Sequence, residues 1–201
     1  MQAADNLVVP SASAASDDAD PTLGQLLHVS CIVLRQGVDL LDNHITANEQ
    51  LTVHSQYLPG STIGKHLRHS RDHFELLLDC IKSPPPRILS YDVRIRNTPM
   101  EQDRDAARTA LLETIKHLED VVPGADHSAP LTLQAVTPYM QEFGTSFGRE
   151  LWFAALHCVH HWSMVRVIAG ELKMKLADDF GFAPSTLLHQ GRVAPLGRAK
   201  I

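Results

Sequence analysis

Four stretches of this chain repeat apolar residues at intervals of three, four and seven, and that spacing restricts the fold more than any other feature. The first, Leu23 to Asn48, carries Leu23, Leu26, Leu27, Val33, Leu34, Val38, Leu41 and Ile45. The second, Ser61 to Ile81, follows Pro59-Gly60, has Ser61 or Thr62 as its cap, and stops before Pro84-Pro85-Pro86. The third begins at Thr98-Pro99-Met100-Glu101, a capping hydroxyl, a proline at the first helical position and a carboxylate at the third, and runs to Pro123-Gly124. The fourth spans Ser146 to Lys173. Two long connections, Ser83–Asn97 and Val121–Thr145, separate them, and Leu131–Val136 in the second reads as a short strand. Helices of this kind joined by two long crossovers predict an all-α four-helix bundle.

Composition narrows the function classes. No apolar run approaches the roughly 18–20 residues of a membrane span. The first residues lack the basic and apolar regions of a secretory signal. The formal charge is −5, and Asp5, Asp17, Asp18 and Asp20 place four of those charges in residues 1–22, which hold no Lys or Arg. With Ser and Ala filling the rest, residues 1–22 read as a disordered acidic tail, and 23–201 as one domain with an irregular C-terminal end. The domain is then close to neutral and has no basic cluster, so neither nucleic acid nor a membrane is an expected partner. The three cysteines, Cys31, Cys80 and Cys158, form no CxxC pair and fit a reducing compartment, with Cys80 as core packing.

Histidine is the unusual residue, with 12 in 201 positions. Six of them lie in two segments: His66, His69 and His73 in GKHLRHSRDHF, and His157, His160 and His161 in ELWFAALHCVHHW. His69/His73 and His157/His161 are four apart, a spacing that sets two imidazoles one turn apart on one helix face. Twelve histidines produce roughly 0.7 such pairs by chance at the helical spacing, so one pair alone says little. The helical face says more. At about 100° per residue, His157 and His161 fall on the same side as Phe153, Ala154, Met164 and Ile168. His160 falls at the margin of that side, and Trp162 falls away from it, as a packing or dimer-contact residue. His66, His69 and His73 share the side of Leu77 and Cys80, opposite Arg68, Arg71 and Glu75. Histidines on buried faces need partners. Two arrangements satisfy them: a hydrogen-bonded polar core, or a metal site with open positions.

Other motifs carry less. Gly144-Thr145-Ser146-Phe147-Gly148 matches a nucleophile elbow, but that motif needs a preceding strand, and YMQEF is not a convincing one; Ser146 reads as a helix cap. Gly60 to Lys65 is one residue short of a phosphate-binding loop, with His66 where Ser or Thr belongs. Glu150 shares the histidine side of its helix and reads either as a first-turn acid favoured by the helix dipole or as a candidate general base. Asp72 either orients His69 or pairs with Arg68. Arg94 and Arg96 either line the mouth of a site and hold an anionic substrate, or belong to a solvated loop.

Taken together, STIGKHLRHSRDHF, LSYDVRIRN before an acidic helix start, RELWFAALHCVHHWSMVRVIAG and the closing DFGFAPST resemble the DinB/YfiT-like superfamily, over Leu23 to Leu187. That resemblance implies a four-helix bundle, often a homodimer, holding a divalent metal ion, usually nickel or zinc. The implied ligands are His69, three residues before Asp72, with His157 and His161. His66, His73, His160 and Asp72 are then outer or alternative ligands. The implied activity is a metal-dependent enzyme, a thiol-dependent S-transferase acting on a small electrophile. Metal-dependent hydrolysis and a non-catalytic metal-binding or structural homodimer are the alternatives. The expected partner is a small-molecule substrate, including a low-molecular-weight thiol, and the expected compartment is the cytoplasm.

Overall fold

The computed structural model describes residues 21–93 and 95–192. The acidic segment 1–20, Arg94 and the last nine residues lie outside the described residues. Six helices and three strands follow in the order α1 (Pro21–Asn43), α2 (Glu49–Thr52), α3 (Ile63–Lys82), β1 (Ile88–Leu89), α4 (Arg104–Val121), β2 (Pro130–Val136), β3 (Met140–Ser146), α5 (Phe147–Glu171) and α6 (Pro184–His189).

The long helices sit where the apolar spacing puts them, and local chemistry sets their ends. Thr62 Oγ1 accepts from Lys65 N at 3.2 Å and starts α3. The chain then turns away at Ser83, ahead of the proline run. α1 stops at Asn43 because Leu40 O takes the N–H groups of both His44 and Ile45, each at 3.0 Å. Ile45 therefore leaves the helix but stays buried. Pro99–Glu101 forms a separate 3₁₀ turn, and α4 begins only at Arg104, where Asp103 Oδ1 accepts from Ala106 N at 2.7 Å. The Thr98 signal thus marks a turn rather than the start of the long helix.

The expectation of an all-α four-helix bundle is corrected by residues 88–146. β2 and β3 pair antiparallel over their whole length, from Pro130 opposite Ser146 to Val136 opposite Met140, and β1 adds in parallel to β2 through Ile88–Thr132 and Leu89–Leu133. The sheet order is β1-β2-β3. The crossover whose Leu131–Val136 already read as a strand becomes a hairpin, because its backbone groups pair with Met140–Ser146, a segment with no apolar alternation of its own. The architecture is mixed, long helices with a three-stranded sheet.

The sheet fixes the relation of two helices. β1 follows α3 closely and β3 runs directly into α5, whose first turn is capped by Ser146 Oγ accepting from Arg149 N at 3.4 Å. The C-terminal end of α3 and the N-terminal end of α5 are thereby linked through one sheet, and the two helices pack antiparallel. α1 packs on α4 and α5, and α3 also packs on α4. The core between them holds Leu34, Leu41, Phe74, Leu77, Leu111, Phe147, Leu151 and Trp162. Trp162 is fully buried and its Nε1 donates to Val33 O at 2.7 Å, so it is a packing residue and not a dimer contact. Gly37 makes room for it, since a Cβ there would lie 2.9 Å from the indole.

Candidate functional site

Five of the six histidines singled out in the sequence converge on the α3–α5 seam. The antiparallel register matches them in reverse order, His66 against His161 and His73 against His157, with His69 between. His66 Nδ1 and His161 Nδ1 are 2.7 Å apart, and His161 Nε2 and His157 Nε2 are 3.0 Å apart. The rings of His73 and His157 stack at 3.9 Å. His160 is the outlier, exposed on the solvent side of His161.

His69, His157 and His161 each offer a ring nitrogen, and these three atoms lie within 4.8 Å of one another. Nitrogens bound to one tetrahedral ion at about 2.0–2.1 Å lie roughly 3.3 Å apart. The His157–His161 pair is close to that spacing, so the donor set fits a borderline divalent ion such as zinc or nickel. The outer contacts fit as well. Ligation through His161 Nε2 leaves its proton on Nδ1, which then donates to His66 Nδ1 and fixes the ring. His66 must then carry its own proton on Nε2. That atom is buried and has no hydrogen-bond partner among the described residues. A buried donor left unpaired costs about 1–3 kcal/mol.

Burial sets the charge state of the cluster. It lowers His66 and His157 to about 4, and the neighbouring imidazoles add to the effect at His157. His161 is driven lower still, first by burial and then by the surrounding histidines. These rings are neutral at pH 7, the form in which imidazole accepts a hydrogen bond or ligates a metal.

One wall of the cluster is aromatic; the helical face already placed Phe153 there, whereas Tyr91 was not legible beforehand. Tyr91 stacks on His73 at 4.5 Å, and Phe153 stacks on His157 at 5.6 Å. Tyr91 comes from the connection after β1, where no periodicity marks any position as inward-facing. Its Oη donates to Glu150 Oε2 at 3.1 Å, while Thr145 Oγ1 and Arg149 Nη1 donate to Glu150 Oε1 at 2.7 and 2.8 Å. Glu150 is fully buried. Its carboxylate is engaged by these three donors and reaches the histidines through Tyr91, not directly. Burial and then Glu150 push the Tyr91 phenol well up, so it remains a donor. Asp72 pairs with Arg68 one turn away, the second of its two predicted arrangements.

The other wall opens into a cavity of about 490 Å³ lined by Gly60, Ser61, Lys65, His66, Arg68, His69, Arg96, Asn97, Glu101 and His161. Arg96 therefore does line the mouth. The loop that carries it is held against α3 at two points. Gly64 lets the backbone of Glu101 approach so closely that a Cβ would lie 2.0 Å from Glu101 O. One turn on, Arg68 Nε lies 2.9 Å from Glu101 Oε1. Gly60 to Lys65, phosphate-loop-like in sequence, is in fact this docking seam.

The strand that YMQEF did not announce does precede Ser146, but Ser146 is spent on capping α5, as its sequence reading held.

No family model matches the chain, and no solved structure matches it. FK506-binding protein 5 of Rhizopus delemar is 33% identical over 161 residues, 78% of this chain and 36% of that protein. The chain thus spans about a third of the curated relative it matches. This finding corrects the DinB/YfiT-like resemblance, because the matching relative carries the FK506-binding name. The metal-dependent S-transferase reading falls with it, together with its alternatives, metal-dependent hydrolysis and the non-catalytic homodimer, since the relative's name points to a different kind of function. The geometry of the histidines does not depend on the resemblance.

Proposed function

We propose that the chain is a small-molecule-binding module of the kind built into an FK506-binding protein, with its ligand site in the cavity beside the α3–α5 histidines. The similarity to a relative named for binding a small molecule supports the class of function. The cavity of about 490 Å³ supports the place, being within the usual range for ligand pockets. As part of the same proposal, His69, His157 and His161 hold a divalent ion, zinc or nickel. Three ring nitrogens within 4.8 Å of one another carry that reading. A bound ion would supply a Lewis-acidic position at the cavity edge. The chain's own residues do the rest: His66 orients His161, and Tyr91 and Phe153 hold His73 and His157 by stacking.

Zinc titration of the full chain, against a competing chelator, tests the metal. The expected result is one tight equivalent, lost at least 100-fold in both His157→Ala and His161→Ala with the fold retained by circular dichroism. No binding to the wild type, or wild-type affinity retained in both variants, overturns it. A parallel titration with FK506 tests whether the macrolide itself is the ligand. The lining argues for a smaller and more polar one, since Lys65, Arg68, Arg96 and Glu101 surround the space that a macrolide would need apolar.

Cytoplasmic placement belongs to the same reading. Cys31, Cys80 and Cys158 are all free and buried thiols, as a reducing compartment permits. No helix among the described residues is long and apolar enough to cross a membrane.

A further inference from the structure

The cavity beside the histidines has a charge pattern of its own. Three cations, Lys65, Arg68 and Arg96, line it against one carboxylate, Glu101. Arg68 is committed: buried in the seam, it pairs with both Asp72 and Glu101. That leaves Lys65 and Arg96 as the uncommitted positive charge. Both are exposed, and they come from different segments, the first turns of α3 and the loop before the 3₁₀ turn. Lys65 Nζ donates to Gly60 O at 2.8 Å, which uses one of its three protons and holds the ammonium at the rim. Asn97 adds an amide at the same rim. At the floor lies His66, 6% exposed, whose Nε2 has no hydrogen-bond partner among the described residues.

We propose that this cavity binds the anionic head group of a small molecule, a carboxylate or a phosphate, between Lys65, Arg96 and Asn97 at the rim and His66 at the floor. The inference deepens the proposed function and rests on it, because it names the ligand chemistry of the cavity proposed there. An anion is the chemistry that meets every group at once. Its oxygens accept from the ammonium, the guanidinium and the amide, and give the buried His66 Nε2 a partner in the tautomer that carries its proton there. A neutral apolar ligand would leave the rim cations desolvated and the floor donor unpaired. The pinning of the Glu101 turn at Gly64 and through Arg68–Glu101 holds the segment that carries Arg96 and Asn97 against α3 before any ligand arrives.

The test is isothermal titration calorimetry of the full chain with orthophosphate and with succinate, each in the metal-free and the zinc-loaded protein. The comparison variant is the double charge reversal Lys65→Glu with Arg96→Glu, both at exposed positions. One saturable site for at least one of the two anions, weakened at least tenfold in the double variant while zinc is still bound and the thermal midpoint holds, is the expected result. Which of the two binds more tightly assigns the head group. Anion affinity unchanged by the double reversal overturns the inference. So does zinc binding with neither anion bound, an outcome that leaves the metal reading standing. Failure of zinc binding overturns the metal reading instead, and a charge-dependent anion site in that metal-free protein would still support the cavity as an anion site.

Discussion

The α1–α5 seam and the α3–α5 seam use two sides of one helix for opposite purposes. Against α1, α5 buries Trp162 in a pocket cleared by Gly37, and its one polar atom is answered by Val33 O. Against α3, the same helix buries His161 and half-buries His157 against His66, His69 and His73, with His66 Nε2 left without a partner among the described residues. The first seam resembles a protein interior, close-packed and satisfied. The second is held together by ring stacking and shared nitrogens, and it spends stability to keep neutral imidazoles in one place. Groups kept at such a cost mark a binding site more than a scaffold.

Replacing the anchor of the apolar seam should have the largest effect. Trp162→Ala is expected to lower unfolding free energy by about 3–5 kcal/mol, from the cavity and the lost bond to Val33 O. Urea unfolding checks this. A loss under about 1 kcal/mol would remove the contrast between the seams.

Acid should break the other seam. The folded-state values of His66 and His157 are depressed to about 4, below the ordinary 6.5. Between these limits the unfolded chain binds more protons, so their contribution is fully present above about pH 6.5 and is lost as pH falls towards 4. Thermal midpoints measured from pH 7.5 to 4.5 should fall, and the fall should shrink in His66→Phe. A flat profile contradicts the neutral cluster.

Glu150→Gln probes the join between the seam and the sheet. The carboxylate accepts from Tyr91, Thr145 and Arg149, whereas an amide presents donors on one side, so a loss of about 1–3 kcal/mol is expected. The same variant should change the tyrosine absorbance of Tyr91, whose partner is altered, and an unchanged spectrum with unchanged stability would sink this arrangement. The smallest effect belongs to the surface of the α1–α4 packing. Arg108→Ala removes an exposed pair with Asp42 and should leave the urea midpoint almost unchanged, with any small difference vanishing at high salt.

The sequence alone determined the long helices, since an apolar stripe at helical spacing has nowhere else to go than inward. It also placed the five seam histidines on buried faces, and the marginal angle of His160 proved to be exposure. It did not determine the sheet. Met140–Ser146 has no alternation, and its strand exists because Pro130–Val136 lies beside it with unpaired backbone groups. Nor could it determine which histidines meet, because the pairing of His66 with His161 and His73 with His157 depends on the antiparallel register that the sheet imposes. Tyr91, Lys65 and Asn97 reach the site from a loop and a helix end, where spacing carries no information. Periodicity is a property of one segment and can be read along the chain, whereas a site is made of distances between segments, and those were decided only when α3, α5, the sheet and the Glu101 turn closed on one another.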